Sequence, residues 1–174
     1  MNFTATERLQ LAVDAAGVGT WDFNPISGEL VWSPRCKEIF GLPTSAEVTF
    51  EDFLTGVFPP DRPHTQAAVQ QALDPAGPGT YDIEYRTRWN EKGISIRWAR
   101  ATGRAFFDDS RTHAQRFIGT IMDITEAKSM QERLQQSYDD LEVKVTFRNL
   151  ELEREVQQLR AQLILAAAGT SAPA

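Results

Sequence analysis

One cysteine and two histidines are all that the 174 residues offer for thiol or imidazole chemistry, so a nucleophile or soft-metal site must use Cys36, His64 or His113. A lone cysteine permits neither an intramolecular disulfide nor a thiolate cage. Cys36, in "PRCKEIF", reads as a small, partly buried helix residue. His64, in "DRPHTQAAVQQAL", falls beside Thr65 and Gln66 and reads as a solvated helix residue, while His113 sits in the turn "DDSRTHAQ" and reads as exposed. Asp22, Glu84 and Arg86 have the side chains of a catalytic set. On strands, however, they would point outward or bridge neighbours, where opposite charges add only about 0.2 to 1 kcal/mol per pair. No Ser/His/Asp arrangement, metal-ligand spacing or glycine-rich phosphate loop is present. The expectation is a chain without a catalytic or metal site.

Composition narrows the remaining classes. A net charge of −6 and a pI near 5.0, with no basic cluster, give no electrostatic footprint for nucleic acid. "MNFTATERLQ" lacks a basic n-region followed by an apolar core, and no run approaches the roughly 18 apolar residues of a membrane span. A cytoplasmic chain, with protein or small-molecule partners and no membrane contact, is expected. The length accommodates one domain of usual size plus an appendage.

Which elements would position these residues follows from periodicity. An amphipathic helix is expected within residues 1–17, with Leu9, Ala12, Val13 and Ala16 on one face. "GTWDFNPISGELVWS" reads as a β-hairpin. "SPRCKEIFGLP" reads as a short helix capped by Ser33, with Pro34 at its first position and Gly41 at its end. Two more helical pieces follow, with Thr49 and Asp61 as their caps. "GPGTYDIEYRTRW", "ISIRWARATGRAFF" and "QRFIGTIMDI" read as three strands, with turns at Glu91 to Gly93 and Asp108 to Arg111. Strands adjacent in two groups, with helices bunched between them, predict an α+β fold: a five-stranded antiparallel sheet with short helices on one face. Small helices broken by Pro and Gly tile a sheet poorly, which leaves room for a pocket. Trp21, Phe23, Trp32, Phe40, Trp89 and Trp98 are aromatic candidates for its wall. Alternation groups Trp21 with Phe23, and Ile94, Ile96 and Trp98 with one another; both sets are expected on the inner face, so Ile96 joins Trp98 among the candidates.

Taken together, these motifs resemble the PAS domain with its terminal PAC segment. Trp21-Asp22 and Ser27-Gly28-Glu29 resemble its first hairpin, "VWSPRCKEIFGL" its first helix, and "FPPDR" the start of its long helix. "YDIEYRTRW", "IRW" and "GTIMDITEAK" resemble its last three strands and terminus. The sequence departs from the pattern at Phe58, at Pro60 and in the longer turn "NEKG". The resemblance covers roughly residues 5 to 128 and implies a sensor or interaction module rather than an enzyme, with the domain at 18–124. It firmly implies no cofactor. His64 lies near where haem-binding members offer an axial imidazole, so haem would rest on that residue. A photoreactive flavin thiol would rest on Cys36, and its surroundings do not resemble the light-sensing branch's Asn-Cys-Arg-Phe-Leu-Gln motif.

From Thr125 to about Ala168 there is neither proline nor glycine, and a helix of some forty residues is too long to stand unpaired. Leu134, Val145 and Val156 recur every eleven residues, as do Leu141, Leu152 and Leu163. This period predicts a nearly straight or slightly right-handed coiled coil. A parallel homodimer through this seam is expected over 125–166, with Asn149 and Arg160 as polar seam positions and 167–174 as a disordered tail. Val143, Phe147 and Leu150 form a second apolar strip, which either widens the interface or docks another partner. Asp123, Ile124 and Thr125 join strand to helix without a loop, with Thr125 expected as the helix cap. They are the expected point of signal transmission into the coiled coil.

The functional expectation is a dimeric sensory module whose sheet passes ligand or partner binding through this joint to an output. The alternatives are a ligand-free PAS scaffold for dimerisation or protein interaction, and the sensory fragment of a histidine kinase or cyclic-dinucleotide enzyme. No histidine follows His113, so a phosphoacceptor helix is not expected in this chain.

Overall fold

The computed structural model describes residues 3–89 and 95–169, with the backbone alone at 88, 89, 95 and 166–169. The expected turn at Glu91 to Gly93, Ile94, the Trp89 side chain and residues 170–174 of the expected tail lie outside what is described. The chain divides into two compact units, residues 1–128 and 129–174. Their elements are α1 (Ala5–Ala15), β1 (Gly19–Phe23), β2 (Leu30–Trp32), α2 (Pro34–Ile39), α3 (Phe50–Gly56), α4 (Arg62–Leu73), β3 (Thr80–Trp89), β4 (Ser95–Phe107), β5 (Ala114–Asp123) and α5 (Thr125–Gly169). A single 3-10 turn, Pro59–Asp61, precedes α4.

All five strands form one sheet in the order β2-β1-β5-β4-β3, and every neighbouring pair is antiparallel. This is the expected α+β architecture. The short helices form where their caps stand: Ser33 Oγ accepts from the Cys36 amide at 3.3 Å, and Thr49 and Asp52 make a reciprocal capping box. Asp61 does not cap α4 as its position predicts. Its backbone is already helical, and its carboxylate instead accepts the backbone amide and the guanidinium of Arg86, with Nε at 2.9 Å. A forked, charge-assisted donor outcompetes single neutral amides. Phe58, next to the turn, donates its amide to the Arg86 carbonyl at 2.8 Å, so this segment closes the free edge of β3.

The inner face of the sheet carries large and small residues in a fitted pattern. Trp21 on β1 and Tyr81 and Tyr85 on β3 are buried there, while β4 contributes the small residues Ala99, Ala101, Gly103 and Ala105 before Phe107 at its end. Gly103 pairs with Gly119, which also pairs with Trp21, and the indole ring lies over both glycines. A Cβ at Gly119 would collide with the Thr102 carbonyl oxygen and the Trp21 ring. The same parity corrects the expectation for Ile96 and Trp98, which stand on the opposite, outer face, Ile96 being 38% exposed. Alternation says which residues share a face but not which face is buried. The volume of Trp21 decides that here.

No residue of α1 is buried. In the second unit, every described side chain of α5 from Ser129 to Leu165 is exposed, including the expected seam residues Leu134, Leu141, Val145, Leu152, Val156 and Leu163. The backbone of α5 remains helical to Gly169, so its end falls three residues beyond the expected boundary at 166. Among the described residues, no helix is long and apolar enough to cross a membrane.

Two outcomes follow from this packing. Gly119→Ala should cost about 1–3 kcal/mol in chemical denaturation, because neither the sheet backbone nor the indole beneath can give way cheaply. The second concerns pH. Hydrogen bonds from Arg86 hold the Asp61 carboxyl below its ordinary range. A folded value below the unfolded one, about 3.9, means that the pair stabilises fully above the unfolded value and that its contribution is lost as pH falls through the folded one. Asp61→Asn should therefore destabilise by about 1.5–3 kcal/mol at pH 7, with the deficit shrinking in acid-denaturation series towards pH 2.

Candidate functional site

Between the inner face of the sheet and the short helices lies a cavity of about 40 Å³. Of the expected wall residues, Trp21, Phe23, Trp32 and Phe40 line it, and Ile96 and Trp98 do not. The rings are in mutual contact: Trp32 and Phe40 centroids are 4.5 Å apart, Trp21 and Phe117 4.6 Å, and Phe23 and Phe50 5.1 Å in a stacked pair. Phe53, Tyr81, Tyr85 and Phe117 also line the cavity and were missed as site residues. Spacing could have found the two tyrosines, since Tyr81 and Tyr85 share one face of β3. Among the described residues, no charged side chain lines the cavity.

Cys36 lines it too, with 1% exposure, and burial pushes its thiol pKa well above the usual range. The neutral thiol is a weak donor, not a ready nucleophile. The space holds about three water-sized groups, far less than a flavin or a haem. His64 and His113 are both exposed, and neither lines the cavity. In this conformation the residues present do not fit either group. Among the described residues, no cluster of three His, Cys, Asp or Glu side chains is arranged to hold a metal ion.

The second place of interest is the joint between β5 and α5. Ala99 of β4 pairs with Asp123, the last residue of β5, and the Ile124 amide then donates to the Trp98 carbonyl at 2.8 Å. The Lys128 amide donates back to the Ile124 carbonyl at 2.9 Å, so the helix has begun. Thr125 does not cap the helix with its own hydroxyl, as expected; its Oγ1 accepts from the Trp98 amide at 2.9 Å and donates to Asp123 Oδ1 at 2.6 Å. Asp123 Oδ1 also accepts the Thr125 amide at 2.9 Å, and the carboxylate stands 3.6 Å from Arg97. Asp123 is the capping carboxylate, and Thr125 ties the first helical residue to β4. Both donor and acceptor capacity of that hydroxyl are used across the joint.

Trp98 thus belongs to the joint and not to the cavity. On the outer face its ring is flanked by Arg86, with the guanidinium carbon 5.4 Å from the centroid, and by Lys128, with Nζ at 5.2 Å. Lys128 also forms an ion pair with Glu84 of β3, so the first turn of α5 is anchored to two strands. Arg86 is shared between Trp98, Phe58 and Asp61, which links the edge segment before α4 to the same cluster. Asp22 pairs with Arg116 across β1 and β5 on the exposed outer face, where such a pair contributes little.

The chain is similar to known proteins over this whole region. It is 34% identical to a solved sensory box histidine kinase/response regulator chain from Burkholderia thailandensis, covering 78% of this chain and 98% of that one, with a TM-score of 0.61. It is 26% identical over 143 residues to a probable diguanylate cyclase of Escherichia coli, and 25% identical over 128 residues to the sensor protein FixL of Bradyrhizobium diazoefficiens. Those matches cover 82% and 74% of this chain but only 12% and 24% of the two proteins, so the chain spans a small part of the length of these signalling relatives. A family model described as "PAS fold" matches residues 29–121, more than half of the chain. The chain belongs to the PAS-fold family.

Proposed function

We propose that this chain is a sensory signal-transduction module that pairs with a second copy through α5 and passes events in its sheet to that helix through Asp123, Ile124 and Thr125. The observation that carries the proposal is the Thr125 hydroxyl, bonded at once to the Trp98 amide and to Asp123. With the first helical residue tied to β4, a displacement of the strands displaces the helix start. A ligand or partner then acts by population shift, moving the balance between two helix arrangements only by its difference in affinity for them. The input is a small molecule in the cavity or a protein on the sheet, and the output is a catalytic or regulatory domain. The signalling relatives support both parts: each is named as a kinase, cyclase or sensor.

A second reading has its own observation. The cavity is small and lined largely by aromatic rings, which favours a ligand-free scaffold for dimerisation or protein docking. Protein purified from its own host separates the two readings. A bound molecule released in native mass spectrometry, or a chromophore band in absorbance, supports the sensor of a small molecule; bare mass and no band support the scaffold.

Pairing through α5 is supported by geometry. At about 100° per residue, Leu134, Tyr138, Leu141, Val145, Leu152, Val156, Leu159 and Leu163 fall within a stripe roughly 60° wide. A stripe so straight suits near-parallel helix packing. Leu152→Glu should abolish pairing through this seam, read as a halved mass in sedimentation at micromolar concentration; an unchanged mass contradicts the seam. Thr125→Val keeps the shape but leaves the Trp98 amide and Asp123 short of partners. It should cost about 1–3 kcal/mol in denaturation, and a neutral result would remove the joint from the mechanism.

A further inference from the structure

The seam leaves one apolar strip of α5 unexplained. Val143, Phe147 and Leu150 are 54%, 66% and 49% exposed. By helical geometry they fall roughly 180° from the middle of the seam, so a partner helix packed on the seam cannot reach them. Phe147 is also the midpoint of α5, twenty-two residues from each end of Thr125–Gly169. A bulky aromatic at the centre of a solvated face needs a cover.

The polar positions around Phe147 mirror one another, and the apolar pair does so to within one residue. Val143 lies four residues before it and Leu150 three after; Asp140 lies seven before and Arg154 seven after. Beyond them, Gln136 precedes it by eleven residues and Gln158 follows it by eleven. All six flanking residues fall on the strip's own side of the helix, within about 60° of its centre. If two such helices meet antiparallel at Phe147, Phe147 packs on Phe147, Val143 comes level with Leu150 of the other copy to within one residue, about 1.5 Å along the axis, and Asp140 meets Arg154 at both ends. A parallel meeting would set Asp140 against Asp140 and Arg154 against Arg154. The charges choose the antiparallel arrangement, which is a self-complementary two-fold contact.

We propose that the Val143–Phe147–Leu150 strip docks a second copy of this chain antiparallel about Phe147, joining two seam-paired dimers into a tetramer. This rests on the seam reading for the tetramer, but not for the contact itself. If the seam fails, the strip still yields an antiparallel dimer.

Sedimentation velocity of the full chain from about 5 to 200 µM tests the contact. The expected wild-type species is a tetramer, which Phe147→Glu reduces to a dimer and Leu152→Glu also reduces to a dimer. The double variant should be a monomer. Asp140→Arg and Arg154→Asp should each weaken the contact about tenfold or more, and the combined swap should restore it. A wild-type dimer that Phe147→Glu splits supports the strip and overturns the seam. A wild-type dimer untouched by Phe147→Glu, or a wild-type monomer across the range, overturns the strip. Failure of the charge swap to restore assembly overturns the antiparallel arrangement. Circular dichroism of each variant distinguishes loss of assembly from loss of helix.

Discussion

The absence of slack between β5 and α5 governs the rest of this molecule. Asp123 ends its strand paired with Ala99, and within two residues the chain has committed the Ile124 amide and the Thr125 hydroxyl to Trp98. A loop would have let the helix settle independently of the sheet. Here the helix start inherits its position from β4, and Lys128 repeats the constraint one turn later through Glu84 and the Trp98 ring. The polar groups of the joint bond to one another across it.

The inner face reaches the same joint from the other side of the sheet. β4 carries alanine and glycine inward along most of its length, and the Trp21 ring occupies the space above Gly103. The same strand carries Trp98 outward into the cationic cluster of Arg86 and Lys128. One strand therefore touches the cavity wall through Ala101 and the helix start through Trp98. In the transmission proposed above, a change in how the rings sit would travel along that strand, because a close-packed sheet leaves it few other routes. This is why the cavity and the joint belong to one account although no residue is shared between them.

Much of the fold was legible in the sequence because its signals are local: Ser33 and Thr49 cap where they stand, and the strands alternate as written. What escaped depends on partners distant in the chain. Asp61 looks like a helix cap until Arg86, twenty-five residues on, offers it a fork of donors. Thr125 looks like a cap until the Trp98 amide comes within reach. Gly103 and Gly119 are unremarkable glycines in strands until Trp21 lies over both. Ile96 and Trp98 were assigned to the wrong face because two equally apolar registers of β4 cannot be ranked from that strand alone. Trp21, Phe23, Trp32 and Phe40 do surround one cavity, but its modest size follows from neighbouring rings, which spacing does not reveal.

The central claim is that the first turn of α5 moves as part of the sheet, and native-state hydrogen exchange of the unmodified chain tests it most directly. The amides of Trp98, Ile124 and Lys128 should exchange with protection within about tenfold of one another and of the β4 core, because they open together. The amides after Ser129 should follow a separate opening. If Ile124 and Lys128 instead exchange orders of magnitude faster than β4, in step with the rest of α5, the helix is merely tethered to the sheet and the account is wrong.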